Sequence, residues 1–81
     1  MFMRIGSSIV NLSRAQVIEC YKGVECLEIS VEYEDGLKRF AIPTDLDPER
    51  VAAIIHLKLA EGVSFCLVGA LHEAESNYRI H

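Results

Sequence analysis

The sequence lacks a basic cluster. Its eight Lys and Arg residues are scattered singly or in one pair (Lys38-Arg39) among twelve acids, for a net charge of −4. Nucleic-acid binders draw most of their affinity from neutralised phosphates and show a basic patch or stripe. Its absence argues against nucleic acid as a partner, and the same balance argues against an anionic membrane surface. Long apolar runs are missing as well. No stretch approaches the roughly 18 residues of a membrane span, and Met1 to Val10 has one arginine and no continuous apolar core. The expectation is a chain with no signal peptide. Cysteine is sparse and odd in number: Cys20, Cys26 and Cys66 do not make a disulfide framework. Each lies in an apolar, strand-like setting, which reads as a reduced thiol used as a small hydrophobe in a cytoplasmic protein.

Motifs that carry chemistry are absent in the same way. The glycines at 6, 23, 36, 62 and 69 are isolated, so no phosphate-cradling loop is written. Ser7, Ser8, Ser13 and Ser64 lack the elbow or partner motif of a nucleophile. Glu28, Glu32 and Glu34 form an acidic row that reads as a solvated strand face rather than a carboxylate pair in a cleft. His56 falls near the polar side of a helix. His72 with Glu73, Glu75, Cys66 or His81 matches no structural zinc spacing. These readings give no catalytic residue, no cofactor and no metal.

What the chain does have is apolar content. Of 81 residues, 51% are hydrophobic, yet a chain this short buries only about 60–65% of its unfolded surface. The remainder is left outside unless another chain covers it. The clearest pattern runs from Cys26 to Ile42. Leu27, Ile29, Val31 and Tyr33 alternate with Glu28, Ser30, Glu32 and Glu34, which puts one set on each face of a strand. Asp35-Gly36 is a pair suited to a two-residue type I′ turn. That loop sets Val31 opposite Phe40, Ile29 opposite Ile42 and Glu32 opposite Arg39. A three-residue loop would mix the two faces.

Around this hairpin the rest of the chain is read in order. Met3 to Leu12 reads as one strand bent at Gly6, and Asn11 to Arg14 as a turn. Ala15 to Tyr21 is a second strand, with a turn at Lys22-Gly23 and no readable register to the strand that follows. Pro43 ends the ladder. Asp47 as N-cap, Pro48 at the first helical position and Glu49 beside it open a helix that runs to about Glu61 and is capped by Gly62. Its stripe is Val51, Ile54, Ile55 and Leu59, while Ala53 and Leu57 lie off the stripe. Val63 to Val68 is short, β-rich and bounded by glycines, which favours a strand; a helix from about Phe65 to Glu75 competes with it. The polar tail begins near Glu73, with Tyr78 and Ile80 available to dock.

Together these elements predict one α+β domain over residues 1–81: an antiparallel sheet of four or five strands in the order β-β-β-β-α-β, with one helix packed on it. The expected role is a homo-oligomeric interaction or adaptor protein, most simply a two-fold dimer, whose interface includes Ile9, Leu57, Phe65 or Leu67. The alternative is a small-molecule binder with a site at a subunit or helix–sheet interface.

Overall fold

The computed structural model describes residues 1–80, with side chains through Glu75. The N-terminal stretch is not one bent strand but a hairpin. β1 (Phe2–Ile5) and β2 (Ser8–Asn11) pair antiparallel, with Met3 opposite Val10 and Ile5 opposite Ser8. Gly6 makes the reversal. Its φ is +59° and that of Ser7 is not positive, the type II′ pattern with glycine first. The segment is apolar enough to read as one strand, and only the left-handed glycine marks the fold-back.

A second sheet follows, built from β3 (Val17–Lys22), β4 (Leu27–Tyr33) and β5 (Gly36–Ile42), with β4 in the centre. The expected alternation along β4 holds: Leu27, Ile29 and Val31 are buried, Glu28 and Glu32 exposed. The expected hairpin register does not. Tyr33 pairs with Gly36, Val31 with Lys38, Ile29 with Phe40 and Leu27 with Ile42; Glu32 faces Leu37 and Arg39 faces Ser30. The loop is therefore Glu34-Asp35, and neither residue has positive φ. Glycine comes after the turn, where a type I turn favours it. Predicted and observed registers differ by two residues, so every side chain keeps its face and parity cannot separate them. The ends decide. Leu27 gains Ile42 as a partner, and Tyr33, which the expected register sets opposite Lys38, pairs with Gly36 instead, while its hydroxyl donates to the Asn11 carbonyl at 2.7 Å.

The β3–β4 register, unreadable in the sequence, sets Ile18 opposite Val31, Cys20 opposite Ile29 and Lys22 opposite Leu27. The four-residue connection carries Glu25 in the left-handed region, at φ 57°.

Helix α1 (Pro48–Glu61) begins and ends where its signals place it. Asp47 is extended, and its Oδ1 accepts from the Glu49 N–H at 3.1 Å. Gly62 adopts φ 73° and donates its N–H to Leu59 C=O at 3.1 Å. Val51, Ile54 and Ile55 are buried and Leu59 is half-buried.

Beyond Gly62 the strand expected over Val63 to Val68 shrinks to two residues, and the competing helix is present. Only β6 (Phe65–Cys66) is extended, and a second helix, α2 (Leu67–Ile80), starts directly after it. The polar tail expected from Glu73 lies inside this helix; docking by Tyr78 or Ile80, and His81, fall outside the described side chains. β6 lies parallel to β1, with Met3 beside Phe65 and Arg4 beside Cys66. The architecture is thus α+β, in the order β-β-β-β-β-α-β-α, with two three-stranded sheets (β2-β1-β6 and β3-β4-β5) and two helices, rather than one sheet and one helix. One apolar cluster joins the sheets and helices: Met3, Ile5 and Val10 with Leu27, Ile29 and Val31, Val51, Ile54 and Ile55, and Leu67, Ala70 and Leu71.

Candidate interaction site

The register of the small sheet decides what its free edge offers. Leu12 N–H donates to Met1 C=O at 3.0 Å, which makes Met1 and Leu12 a hydrogen-bonded pair. Antiparallel pairs alternate, so Val10 and Ser8 turn their backbone groups toward β1, and Ile9 and Asn11 turn theirs away. β2 has no second neighbour in its sheet. The outward carbonyl of Asn11 is taken by the Tyr33 hydroxyl. Ile9 N–H, Ile9 C=O and Asn11 N–H are left facing outward along the edge.

That edge borders a cleft of about 820 Å³. β2 forms one wall through Ile9 and Asn11. Arg14 and Gln16 come from the segment that leads into β3, and Tyr33, Glu34, Asp35 and Lys38 come from the tip of the β4–β5 hairpin. Several bonds fix this geometry. Asn11 Oδ1 accepts from Ser13 N–H at 3.0 Å, Ser13 Oγ accepts from the Met1 ammonium at 3.1 Å, and Tyr33 ties the hairpin tip to β2. Lys58 pairs with Glu61 and Glu73, and none of the charged side chains of the cleft forms an ion pair with another. Arg14, Lys38, Glu34 and Asp35 therefore line one cleft without pairing with one another.

Perpendicular to that edge, the outer face of the small sheet carries Phe2 and Arg4 on β1, Ile9 on β2 and Cys66 on β6. The pairings Phe2–Asn11, Arg4–Ile9 and Arg4–Cys66 make these side chains neighbours. Phe2 is 48% exposed and Ile9 73%. Arg4 lies along this face with Nε donating to Gly6 C=O at 3.1 Å. No carboxylate stands among these four positions.

The outer face of the larger sheet is different. Glu19, Glu28 and Glu32 stand there with Arg39, and Val17, Leu37 and Ala41 lie between them. Glu34, expected to continue the acidic row, sits in the turn instead. Ser30 is buried on this face because Tyr21 covers it: its hydroxyl donates to the Tyr21 oxygen at 3.3 Å, and the Tyr21 hydroxyl donates to Glu19.

The four interface candidates read from the sequence separate. Ile9 is exposed on the small sheet, and Leu57 is 63% exposed on α1. Phe65 is half-buried on the inner side of β6, next to Met3. Leu67 is fully buried, because α2 begins there and turns it into the core, so it has no surface to give a partner. Tyr33, Arg14, Gln16 and Lys38 were not among the candidates. Their convergence depends on a hairpin tip meeting a strand some twenty residues earlier, and no local pattern records that.

Two smaller clefts lie elsewhere on the surface. One of about 290 Å³ lies between β3 and α1, and its polar side chains are Gln16 and His56. The other, of about 380 Å³, lies at the β3–β4 connection beside Pro43 and Thr44. All three cysteines are free, and burial raises the Cys20 thiol above its ordinary value of 9.0. Among the described residues no three His, Cys, Asp or Glu side chains come together as a metal site, and no helix is long and apolar enough to cross a membrane.

No protein-family model matches the chain, and no curated protein and no solved structure is significantly similar to it.

Proposed function

We propose that this protein is a homo-oligomeric interaction module of the cytoplasm, and that it self-associates by stacking the outer faces of two small sheets about a two-fold axis. The observation that carries this is the exposure of Phe2, Ile9 and Cys66 around Arg4 on a face whose strand positions hold no carboxylate. Stacked sheets lie about 10 Å apart, close enough for such side chains to interdigitate. Arg4 stands among them with Nε donating to Gly6 C=O, and its guanidinium must keep to the solvated rim of the contact, because burial without a carboxylate is costly. Closed two-fold pairing is the commonest assembly of a small soluble chain, and the interface should bury at least about 1,000 Å² in total. Three free thiols agree with a reducing compartment.

Light scattering coupled to size exclusion tests the proposal. The parent should run as a dimer of its 9.1 kDa chain, and Ile9→Glu and Phe2→Glu should each give a folded monomer. A parent that stays at the monomer mass at high micromolar concentration would overturn it. If Leu57→Glu dissociates the dimer and the other two do not, the contact lies on α1 instead.

A further inference from the structure

We infer that the free edge of β2 is a docking site for one extended peptide strand from another protein, which would enter the cleft between β2 and the β4–β5 hairpin tip and add to the small sheet. This goes beyond self-association: the dimer would use side chains perpendicular to the sheet, the peptide would use backbone groups in its plane.

Three observations converge. The first is the edge itself. The Ile9 amide, the Ile9 carbonyl and the Asn11 amide face outward from a strand that has one neighbour. Small soluble proteins normally blunt such an edge with lysine, proline, a bulge or a cover. Ser8 to Asn11 has no charge and no proline, and its four residues pair with β1 one for one. The second is the opposite wall. Tyr33 reaches across to Asn11 C=O and holds the hairpin tip beside the edge, which leaves about 820 Å³ between them. The gap suits a single strand. A second copy would bring its own hairpin tip to the same edge, so two-fold β2–β2 pairing would force two tips into the space of one. The third is the charge in the cleft. Arg14 and Lys38 line it with Glu34 and Asp35, and none of the four is paired.

The partner's chemistry follows from these walls. Strand addition takes its affinity from main-chain hydrogen bonds and its selectivity from alternate side chains. The occupant is about four or five residues in extended conformation, the length that matches β2. It presents an apolar, β-branched side chain beside Ile9. Toward the hairpin tip it presents charges of both signs, an acid to Arg14 and Lys38 and a base to Glu34 and Asp35.

The test uses the full chain and a displayed library of random heptapeptides. Selected peptides should share a β-branched residue flanked at alternate positions by one acid and one base. Amide exchange then locates them. In the free protein the Val10 and Leu12 amides should be protected and those of Ile9 and Asn11 should exchange fast; a selected peptide should protect Ile9 and Asn11. Ile9→Pro removes the outward N–H and leaves the β1–β2 bonds intact, so it should weaken the peptide by about tenfold or more. Arg14→Glu with Lys38→Glu should weaken it too and is safe for folding, since both side chains are exposed. Peptides that bind without protecting Ile9 and Asn11, or with unchanged affinity for the Arg14/Lys38 variant, would overturn the inference. So would Ile9 protection that rises with protein concentration alone in the Phe2→Glu variant, which would assign the edge to a second copy. Phe2→Glu separates the two proposals: Phe2 does not line the cleft, so this variant would break the dimer, while the peptide should still protect Ile9 and Asn11 in the resulting monomer.

Discussion

At the residue scale, two glycines that look alike in sequence have opposite roles. Gly6 sits at φ +59° in the β1–β2 turn, so Gly6→Ala should cost about 1–2 kcal/mol, the penalty of a Cβ in the left-handed region. Gly36 sits inside the turn motif that the sequence reading chose, yet its φ is ordinary and a Cβ there would meet nothing within 4 Å. Gly36→Ala should therefore fall within about 1 kcal/mol of the parent in urea melts, on the stabilising side if loss of chain freedom dominates. The Asp-Gly pair misled because that signal marks where a reversal occurs without fixing which of its residues turn. Asp47 is the contrasting case, a cap readable from the three consecutive residues Asp47, Pro48 and Glu49. Asp47→Ala frees the Glu49 N–H and should cost on the order of 1 kcal/mol in the same melts. Cys20 adds a dependence on pH. Burial raises its folded-state pKa above the ordinary 9.0, so the folded chain prefers the neutral thiol. That contribution is complete below about pH 9 and is lost as pH rises through the raised value. Cys20→Ala should flatten the alkaline limb of the stability curve. In the monomeric Phe2→Glu variant iodoacetamide should label exposed Cys66 before Cys20.

At the scale of elements, legibility follows local signals. α1 was readable because its N-cap, Pro48, apolar stripe and Gly62 all agree. Ile55, 2% exposed in the centre of that stripe, should cost about 2–5 kcal/mol when cut to alanine. α2 was passed over as the first choice although its buried residues Leu67, Ala70 and Leu71, with half-buried Ala74, are spaced as a helix face. Its first turn has no acid and no capping residue before it, since Cys66 precedes Leu67 directly. The β-branched and aromatic run from Val63 to Val68 then outweighed the helical spacing. The structure divides the run: Val63 and Ser64 lead in, Phe65 and Cys66 form β6, and Leu67 and Val68 open α2. Leu67, the first residue of α2, is fully buried. The candidate cleft was the least legible element, because its walls come from β2, from the segment ahead of β3 and from a hairpin tip. Only the Ile9 wall carried a sequence signal, an uncharged strand with no protecting residue.

At the scale of the molecule, the decisive contact is the one between the two ends of the chain. Met3, on β1, lies between Val10 and Phe65 and is fully buried. Phe2 N–H adds a bond to Ser64 Oγ at 2.9 Å. A parallel pairing of strands some sixty residues apart leaves no trace in periodicity, which is why one sheet was expected where there are two. It also makes β1 the central strand of the small sheet, with β2 and β6 on either side. Without β1, β6 has no partner, and the inner face of β4 (Leu27, Ile29 and Val31) loses Met3 and Ile5 from the core it shares. Three strands and a helix can in principle stand alone, so the outcome distinguishes two pictures of the fold. If the core is one cooperative unit, deleting residues 1–5 should abolish the sigmoidal urea transition followed by circular dichroism. Met3→Ala should retain that transition and lower stability by about 2–5 kcal/mol. If instead the deleted chain still melts sigmoidally with most of the parent's dependence on urea, the β3-β4-β5 sheet and α1 form a self-sufficient unit. The small sheet would then be an appendage whose edge and face can change without cost to the rest.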